Sequence, residues 1–512
     1  MSDSSGTDVQ VVIVGGGHNA LVAAIYLARA GLGVEIVEQL SQVGGAAISA
    51  QTFEGHDALL SRYSYLVSVM PQSLIDDLGL QLELLSRDVS SYSPHAGGGL
   101  LVETVEGPAT RDSFRDLTGS HAEFTAWQRF YAEVGTIAAA IAPTLLSPLP
   151  RAATVRAAVD PTIWADVVDH PLGTAIERRF THDLVRGVVG TDALIGTFAS
   201  LHDPTLIQNR CFLYHLIGNG TGEWRVPVGG MGAVTGELER VARESGVTIR
   251  THARVTEVEA RDDHVTVRGD DFAIHADWLL SGVAPYVLDL MRGHQPGIKP
   301  SGSQLKVNLL LSRLPALKSG VDPAIAFAGT FHVGETMTEL ESGWHQAAHG
   351  ALPERAAGEL YCHTLTDRSI LGPDLAATEA QTLTYFGLHT PYEVLPDDAA
   401  ADEALARMIA ALNEHLAEPI EPLILGVERK SPRDIEAALG MPGGHIFHGD
   451  LQWPWLADAE TATLPAERWG VDTDHPRILM CGSGARRGGA VSGLGGHNAA
   501  HALLDFLAAQ QH

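Results

Sequence analysis

Three sets of residues in this chain are of the type and spacing to do chemistry. The first is a glycine loop, Gly15-Gly16-Gly17-His18-Asn19-Ala20, with the G-x-G-x-x-G/A spacing and alanine in the last place. Gly15 allows a tight strand-to-helix turn, Gly17 lets the backbone approach a pyrophosphate, and Ala20 is small enough for a helix to pack on the strand. The second is Glu38. Its carboxylate can accept hydrogen bonds from both hydroxyls of a ribose, and its charge would repel a 2′-phosphate. The third is Lys306. The chain has only the lysines Lys299, Lys306, Lys318 and Lys430, and Lys306 alone lies inside an apolar strand pattern, QLKVNLLLSR. A buried lysine is costly unless paired, so it is a candidate for a place beside a reacting group. The plain alternative is a strand-edge lysine with its head in water.

These residues need elements to hold them. Val11 to Val14 is a β-branched apolar run suited to a strand buried on both faces. Leu21 to Ala30 reads as a helix that Gly31 stops, and Val34 to Val37 as a second strand delivering Glu38. The helix start would offer unpaired N–H groups and a positive dipole end to phosphates. From about Pro71 to Gly220 the pattern turns helical, for example Phe124 to Ile141 and Pro171 to Val189, and reads as an insertion covering a pocket. Beyond Gly222 we expect a helix over Ala233 to Ser245. Strands are expected at Val247 to Thr251, Val255 to Ala260, His264 to Arg268 and Ala276 to Ser281. Gly229-Gly230-Met231-Gly232 lacks a β-branched strand before it and an acid-capped strand after it, so no NAD domain is expected.

A second sheet is expected from Gln304 to Arg313, Ala324 to Phe331, Glu359 to Leu365 and Gln381 to Leu388, followed by a helix over Ala399 to Leu416. The chain closes with a strand at Ile478 to Cys481, the glycine-rich stretch Gly482 to Gly493, and a helix from about Gly495 to Gln510.

Composition narrows the function classes. At 512 residues, two domains are a reasonable expectation. Lys and Arg total 34 against 62 Asp and Glu, a formal net charge of −28. That acidity argues against nucleic acid and against strongly anionic membranes. Cys211, Cys362 and Cys481 stand far apart, which excludes a CxxC redox pair and a zinc cluster of cysteines, and fits a reducing compartment. The polar, acidic start MSDSSGTDVQ does not read as a targeting peptide. The longest apolar candidate, Ile137 to Leu149, is short of a span and holds Pro143 and Pro148. A cytoplasmic protein with at most peripheral membrane contact is expected.

Gly44-Gly45, following Glu38, resembles the extended fingerprint of FAD enzymes of the glutathione-reductase and amine-oxidase type. The ordered set VGGAA, SRYSYL, WRVPVGGMGAV, KVNLLLSRLP, GGHIFHGDL and ILMCGSGARRGGAVSGLGGHNAAHAL resembles the phytoene-desaturase-like FAD oxidoreductases. The likeness is nearest to the pyridine nucleotide-disulfide oxidoreductase domain-containing protein 2 branch. It implies a two-domain α/β flavoprotein: a Rossmann-like FAD-binding domain plus a substrate domain with a mixed sheet and a helical cap. The FAD domain would comprise residues 1–70, 222–300 and 425–512, and the substrate domain 71–221 and 301–424.

Carried over onto this sequence, the resemblance implies FAD contacts at Gly15, Gly17, His18, Asn19, Ala20, Glu38, Gly44, Gly45 and Ala46. Val255 would meet the adenine and Gly482 and Ser483 the ribityl-phosphate chain. Val491, Ser492 and Gly493 would turn N–H groups to the flavin pyrimidine, where reduced flavin carries negative charge. His448 and His497 fall within motifs and read as structural. Lys306 resembles the amine-oxidase lysine that holds a water near flavin N5, and Arg62, Tyr63 and Tyr65 would line the substrate side. Arg486-Arg487 departs from the family pattern, leaving either added positive charge near the flavin or solvent-facing side chains. The implied activity is hydride removal from a small apolar substrate, with oxygen or a quinone as acceptor and a homodimer admitted. Amine oxidation, redox-neutral polyene isomerisation and a non-catalytic carrier resembling Rab GDP-dissociation inhibitor are the alternatives.

Overall fold

The computed structural model describes residues 7–218 and 222–510. The leader reading of Met1 to Gly6 and the end of the insertion at Gly220 and Thr221 fall outside the described residues.

The first strand, Thr7–Val14, is β-branched and apolar, with Val11, Val12 and Ile13 fully buried. It is paired in parallel on both edges, with Val34–Val37 on one side and the long strand Ala273–Ser281 on the other. Thr248–Arg250 extends the sheet beyond Val34–Val37. Ala273–Ser281 carries two further partners along its other edge: antiparallel Val265–Gly269, then parallel Ile478–Met480. Antiparallel Val255–Ala260 completes the sheet. The expected helix after the glycine loop spans His18–Arg29, beginning three residues earlier than the apolar pattern indicated, because His18, Asn19 and Ala20 are themselves buried in its first turn.

The second sheet runs in the order Ile424–Lys430, Leu305–Leu311, Gln381–Gly387, Gly358–Tyr361, Thr330–Val333, Val89–His95, Gly98–Glu103. All neighbours are antiparallel except Thr330–Val333 with Val89–His95. Leu305–Leu311 is its most buried strand. Leu305, Val307, Leu309 and Leu311 face one core, while Lys306, Asn308 and Leu310 face the segment around Phe53 to Arg62.

Several expectations need correction. The segment from Pro71 is not helical throughout, since Val89–His95 and Gly98–Glu103 are strands that complete the second sheet. The single helix expected over Pro171 to Val189 is two, Leu172–Arg179 and Asp183–Thr191, with the chain extended at Phe180. Ala324 to Phe331 begins as a short helix, Pro323–Ala326, whose N-terminus Asp322 caps through its side chain; the strand starts only at Thr330. Glu359 to Leu365 likewise splits into strand Gly358–Tyr361 and a helical turn, His363–Thr366. Ile424–Lys430 gave no strand signal because it is an edge whose side chains are half-exposed or exposed.

The C-terminal helix Leu494–Gln510 packs directly against the glycine-loop helix. Their backbones approach so closely that a Cβ on Gly496 would lie 1.8 Å from the carbonyl oxygen of Asn19. Backbone cannot yield as a flexible side chain would. Gly496→Ala is therefore expected to lower stability by about 3 kcal/mol, the upper end of overpacking penalties, measured by urea unfolding against wild type.

Candidate functional site

The parallel strands end level with one another. Val14 pairs with Val37 and with Ser281. The loops that follow therefore gather at one carboxyl edge, where ligands of open α/β sheets bind. Gly15 N–H donates to Val37 O, Gly282 N–H to Val14 O, and Glu38 N–H to Arg250 O, each at 2.8 Å. Gly15 has φ +90°, a turn that only glycine makes without strain.

A cavity of about 600 Å³ opens at this edge, within the roughly 300–1,000 Å³ of small-molecule sites. Its first half is lined by the glycine loop, Glu38, Gly45, Ala46, Ala253 to Thr256, Gly482, Ser483, Ala490 and Val491. Glu38 is buried and accepts from Gly16 N–H (2.7 Å, Oε2) and Leu40 N–H (2.8 Å, Oε1), which fixes its carboxylate at the cavity wall. The helix His18–Arg29 begins at Gly17 with no side chain capping it and no acid in its first turn. Its first N–H groups are left for a ligand. A Cβ on Gly17 would meet nothing within 4 Å. These residues fit a dinucleotide: open backbone at the phosphate position, a fixed carboxylate at the ribose position.

The second half of the cavity is aromatic: Tyr63, Tyr65, His215, Trp224, Tyr361 and Phe386. Tyr65 packs against Tyr361 with ring centroids 4.9 Å apart, and His215 stacks on Trp224 at 4.8 Å. Glu38, at the opposite end, is the cavity's sole acidic lining residue among those described. Sequence reasoning named Tyr63 and Tyr65 but missed Tyr361, Phe386, Trp224 and His215. The one available signal was register, since Phe386 lies opposite Lys306 on the neighbouring strand.

Of the residues expected at the cofactor, Gly15, Gly17, His18, Asn19, Ala20, Glu38, Gly45, Ala46, Val255, Gly482, Ser483 and Val491 line the cavity. Gly44, Ser492 and Gly493 lie behind it. Gly44 donates its N–H to Gly16 O at 2.8 Å, and a side chain there would strike Ile48 and Thr235. Ser492 Oγ accepts from Leu494 N–H, and Gly493 turns the chain into the last helix with φ +74°. His18 and Asn19 spend their side chains on the C-terminal loop: His18 Nε2–H donates to Ala490 O at 3.1 Å, and Asn19 Nδ2 to Gly488 O at 3.0 Å. Burial pushes His18 down to about 4, so it is neutral at pH 7. His448 also lines the cavity and is pushed down to about 4 by burial. His497 contacts Asn498 rather than the cavity.

Arg62 is turned away from the cavity to Glu428 (Nε–Oε1 3.0 Å). Lys306 is buried behind the wall. Its Nζ donates to Ser61 O at 2.9 Å and sits 5.3 Å from the centre of the Phe386 ring that lines the cavity. The arginine pair is neither solvent-facing nor at the cavity. Arg487 is fully buried and donates to the carbonyls of Thr144, Leu145, Ser147 and Pro454, while Arg486 pairs with Glu460. Arg487 thereby binds the insertion to the C-terminal loop. All three cysteines are free and buried, and burial raises the Cys211 thiol to about 12 and Cys362 to about 11, so neither is a thiolate nucleophile.

Burial pushes Lys306 down to about 7, with Glu428 pulling weakly the other way. The unfolded chain's lysine titrates near ~10.4. Between these values the unfolded chain binds more protons, so stability rises with pH, by at most about 1.4 kcal/mol per pH unit. This increment is complete above the unfolded value and is lost as pH falls through 7. Lys306→Met should flatten the stability profile between pH 7 and 10 and exceed wild type below it, as read by denaturant unfolding across pH.

A model of the NAD(P)-binding Rossmann-like domain matches residues 13–74. The Mycobacterium tuberculosis protein Rv0897c is 46% identical over all of this chain and 99% of its own length. The rat pyridine nucleotide-disulfide oxidoreductase domain-containing protein 2 is 27% identical over 98% of this chain and 94% of its own. Among solved structures, putrescine oxidase bound to putrescine superposes with a TM-score of 0.60 at 18% identity, covering 98% of this chain and all of that one, a likeness of fold. The fold is thus the two-sheet α/β arrangement also seen in putrescine oxidase, and the chain belongs to one family with the Mycobacterium tuberculosis protein Rv0897c.

Proposed function

We propose that this protein binds FAD non-covalently and dehydrogenates a small apolar molecule, passing the electrons to oxygen or a quinone. The observation that carries this reading is one cavity with a glycine-loop end fit for a dinucleotide and an aromatic end that, among the described residues, is lined by no carboxylate. Bound FAD would supply hydride acceptance at N5; the protein supplies position and electrostatics.

In this reading the glycine-loop helix end and the Gly15 and Gly17 backbone hold the pyrophosphate, Glu38 the ribose, and Val255 the edge of the adenine. Val491, just ahead of the last helix, would face the flavin pyrimidine, where an N–H dipole stabilises gathering negative charge. Tyr63, Tyr65, Tyr361, Phe386 and Trp224 exclude water from the reacting region and offer flat apolar faces to the substrate. Lys306 acts on the reaction only through its neighbours, fixing the Ser61 carbonyl and the back of Phe386. An aromatic end without a carboxylate offers apolar faces first, and amine oxidation is the second reading. A cytoplasmic location accords with three unpaired, buried cysteines, and no helix among the described residues is long and apolar enough to cross a membrane.

The purified protein should show the visible absorption of oxidised flavin. Gly17→Val should be folded but colourless, because its side chain fills the phosphate space. Anaerobic addition of apolar alkenes or polyenes should bleach the wild-type band. Bleaching by amines alone would replace this reading with amine oxidation. A colourless wild type without affinity for added FAD would leave a carrier.

A further inference from the structure

A second polar site lies outside the dinucleotide cavity, in the second sheet. His332 stands on strand Thr330–Val333, directly opposite Glu359 on Gly358–Tyr361, and Glu335 follows two residues after the first strand ends. All three side chains are buried, Glu335 completely. Their ligand atoms lie within 4.8 Å of one another, with His332 Nε2 3.7 Å from Glu335 Oε2 and 3.7 Å from Glu359 Oε1. Those separations are too long for hydrogen bonds. They are the separations of neighbouring ligand atoms around one small cation with metal–ligand bonds of about 2.0–2.2 Å.

The partners of each group sharpen this. Ser93 Oγ is 2.7 Å from His332 Nδ1; with the hydroxyl accepting that N–H, the Nε2 lone pair faces the two carboxylates. Glu359 Oε2 accepts from Tyr361 O–H at 2.6 Å, which leaves Oε1 for the shared point. Both oxygens of Glu335 are buried without a hydrogen-bond partner, and so is the Thr191 hydroxyl that faces it from the helix Asp183–Thr191.

Half-buried Asp192 acts on both Glu335 and Glu359, and Arg87 is the guanidinium acting on Glu359.

We infer that His332, Glu335 and Glu359 form a binding site for one divalent transition-metal ion. One imidazole nitrogen and two carboxylates suit zinc, with manganese or iron as substitutes. The ion ties three strands of the second sheet together at Ser93, His332 and Glu359. Through Glu359 it fixes the hydroxyl of Tyr361, whose ring lines the dinucleotide cavity. It is a positioning site, one residue behind the cavity wall.

The test is metal analysis of the full-length protein by plasma mass spectrometry, after incubation with excess Zn²⁺, Mn²⁺ or Fe²⁺ and desalting. Stoichiometric retention of one metal is expected in wild type and loss in Glu335→Gln and His332→Ala. Circular dichroism serves as the folding control. Zn²⁺ added to chelator-treated wild type should raise its Tm and leave Glu335→Gln unmoved. Substoichiometric metal in wild type with an unchanged Tm would overturn the site, as would full retention in the folded Glu335→Gln variant. None of these readouts depends on bound flavin.

Discussion

The structure depends on one constraint: the first strand is hydrogen-bonded in parallel on both edges, in a register that ends it level with its neighbours. Parallel pairing on both sides demands apolar side chains above and below, which Val11 to Val14 provide. The level ending brings Gly15, Glu38, Gly282 and the Cys481–Gly482 turn to one edge. A shift of one residue would reverse every side chain and carry Glu38 out of the cavity wall.

The edge is closed by chain remote in sequence. The last helix lies on the glycine-loop helix through Gly496, and the loop before it is held by His18 and Asn19 from one side. From the other side Arg487 holds four carbonyls that belong to the insertion and to Pro454. A buried guanidinium is expensive unless it is hydrogen-bonded; here its two terminal nitrogens meet that requirement by joining the cap to the glycine-loop end, while Nε has no partner. The dinucleotide end and the aromatic end are therefore built as one object.

The second sheet contributes the other cavity wall through alternation. On Leu305–Leu311 the odd positions face a hydrophobic core, so Lys306 and Asn308 are directed to the Ser61–Arg62 segment, which carries Tyr63 and Tyr65 to the cavity. On Gly358–Tyr361, Glu359 pairs with His332 while Tyr361 reaches the cavity. Polar groups in this sheet support the wall from behind, and the wall itself is aromatic.

The glycine-loop half of the cavity was legible in the sequence because it is local. A turn needing positive φ, a small residue for helix packing and an acid at the end of the next strand all fall between Gly15 and Glu38, where backbone geometry fixes their relation. Periodicity also located most strands and helices, and failed where a short helix with its own cap preceded a strand, as at Asp322, or where an edge strand lacked an apolar face, as at Ile424–Lys430. Lys306 was recognisable as buried from its apolar neighbours, but its partner could not be read, because Ser61 O is 245 residues away. The same holds for Arg487, for the aromatic wall and for the cluster of His332, Glu335 and Glu359. Local sequence determines what backbone geometry alone can enforce; which distant side chains share a wall or a charge is decided only when the two sheets and the insertion pack, since burial and pairing depend on all of them at once.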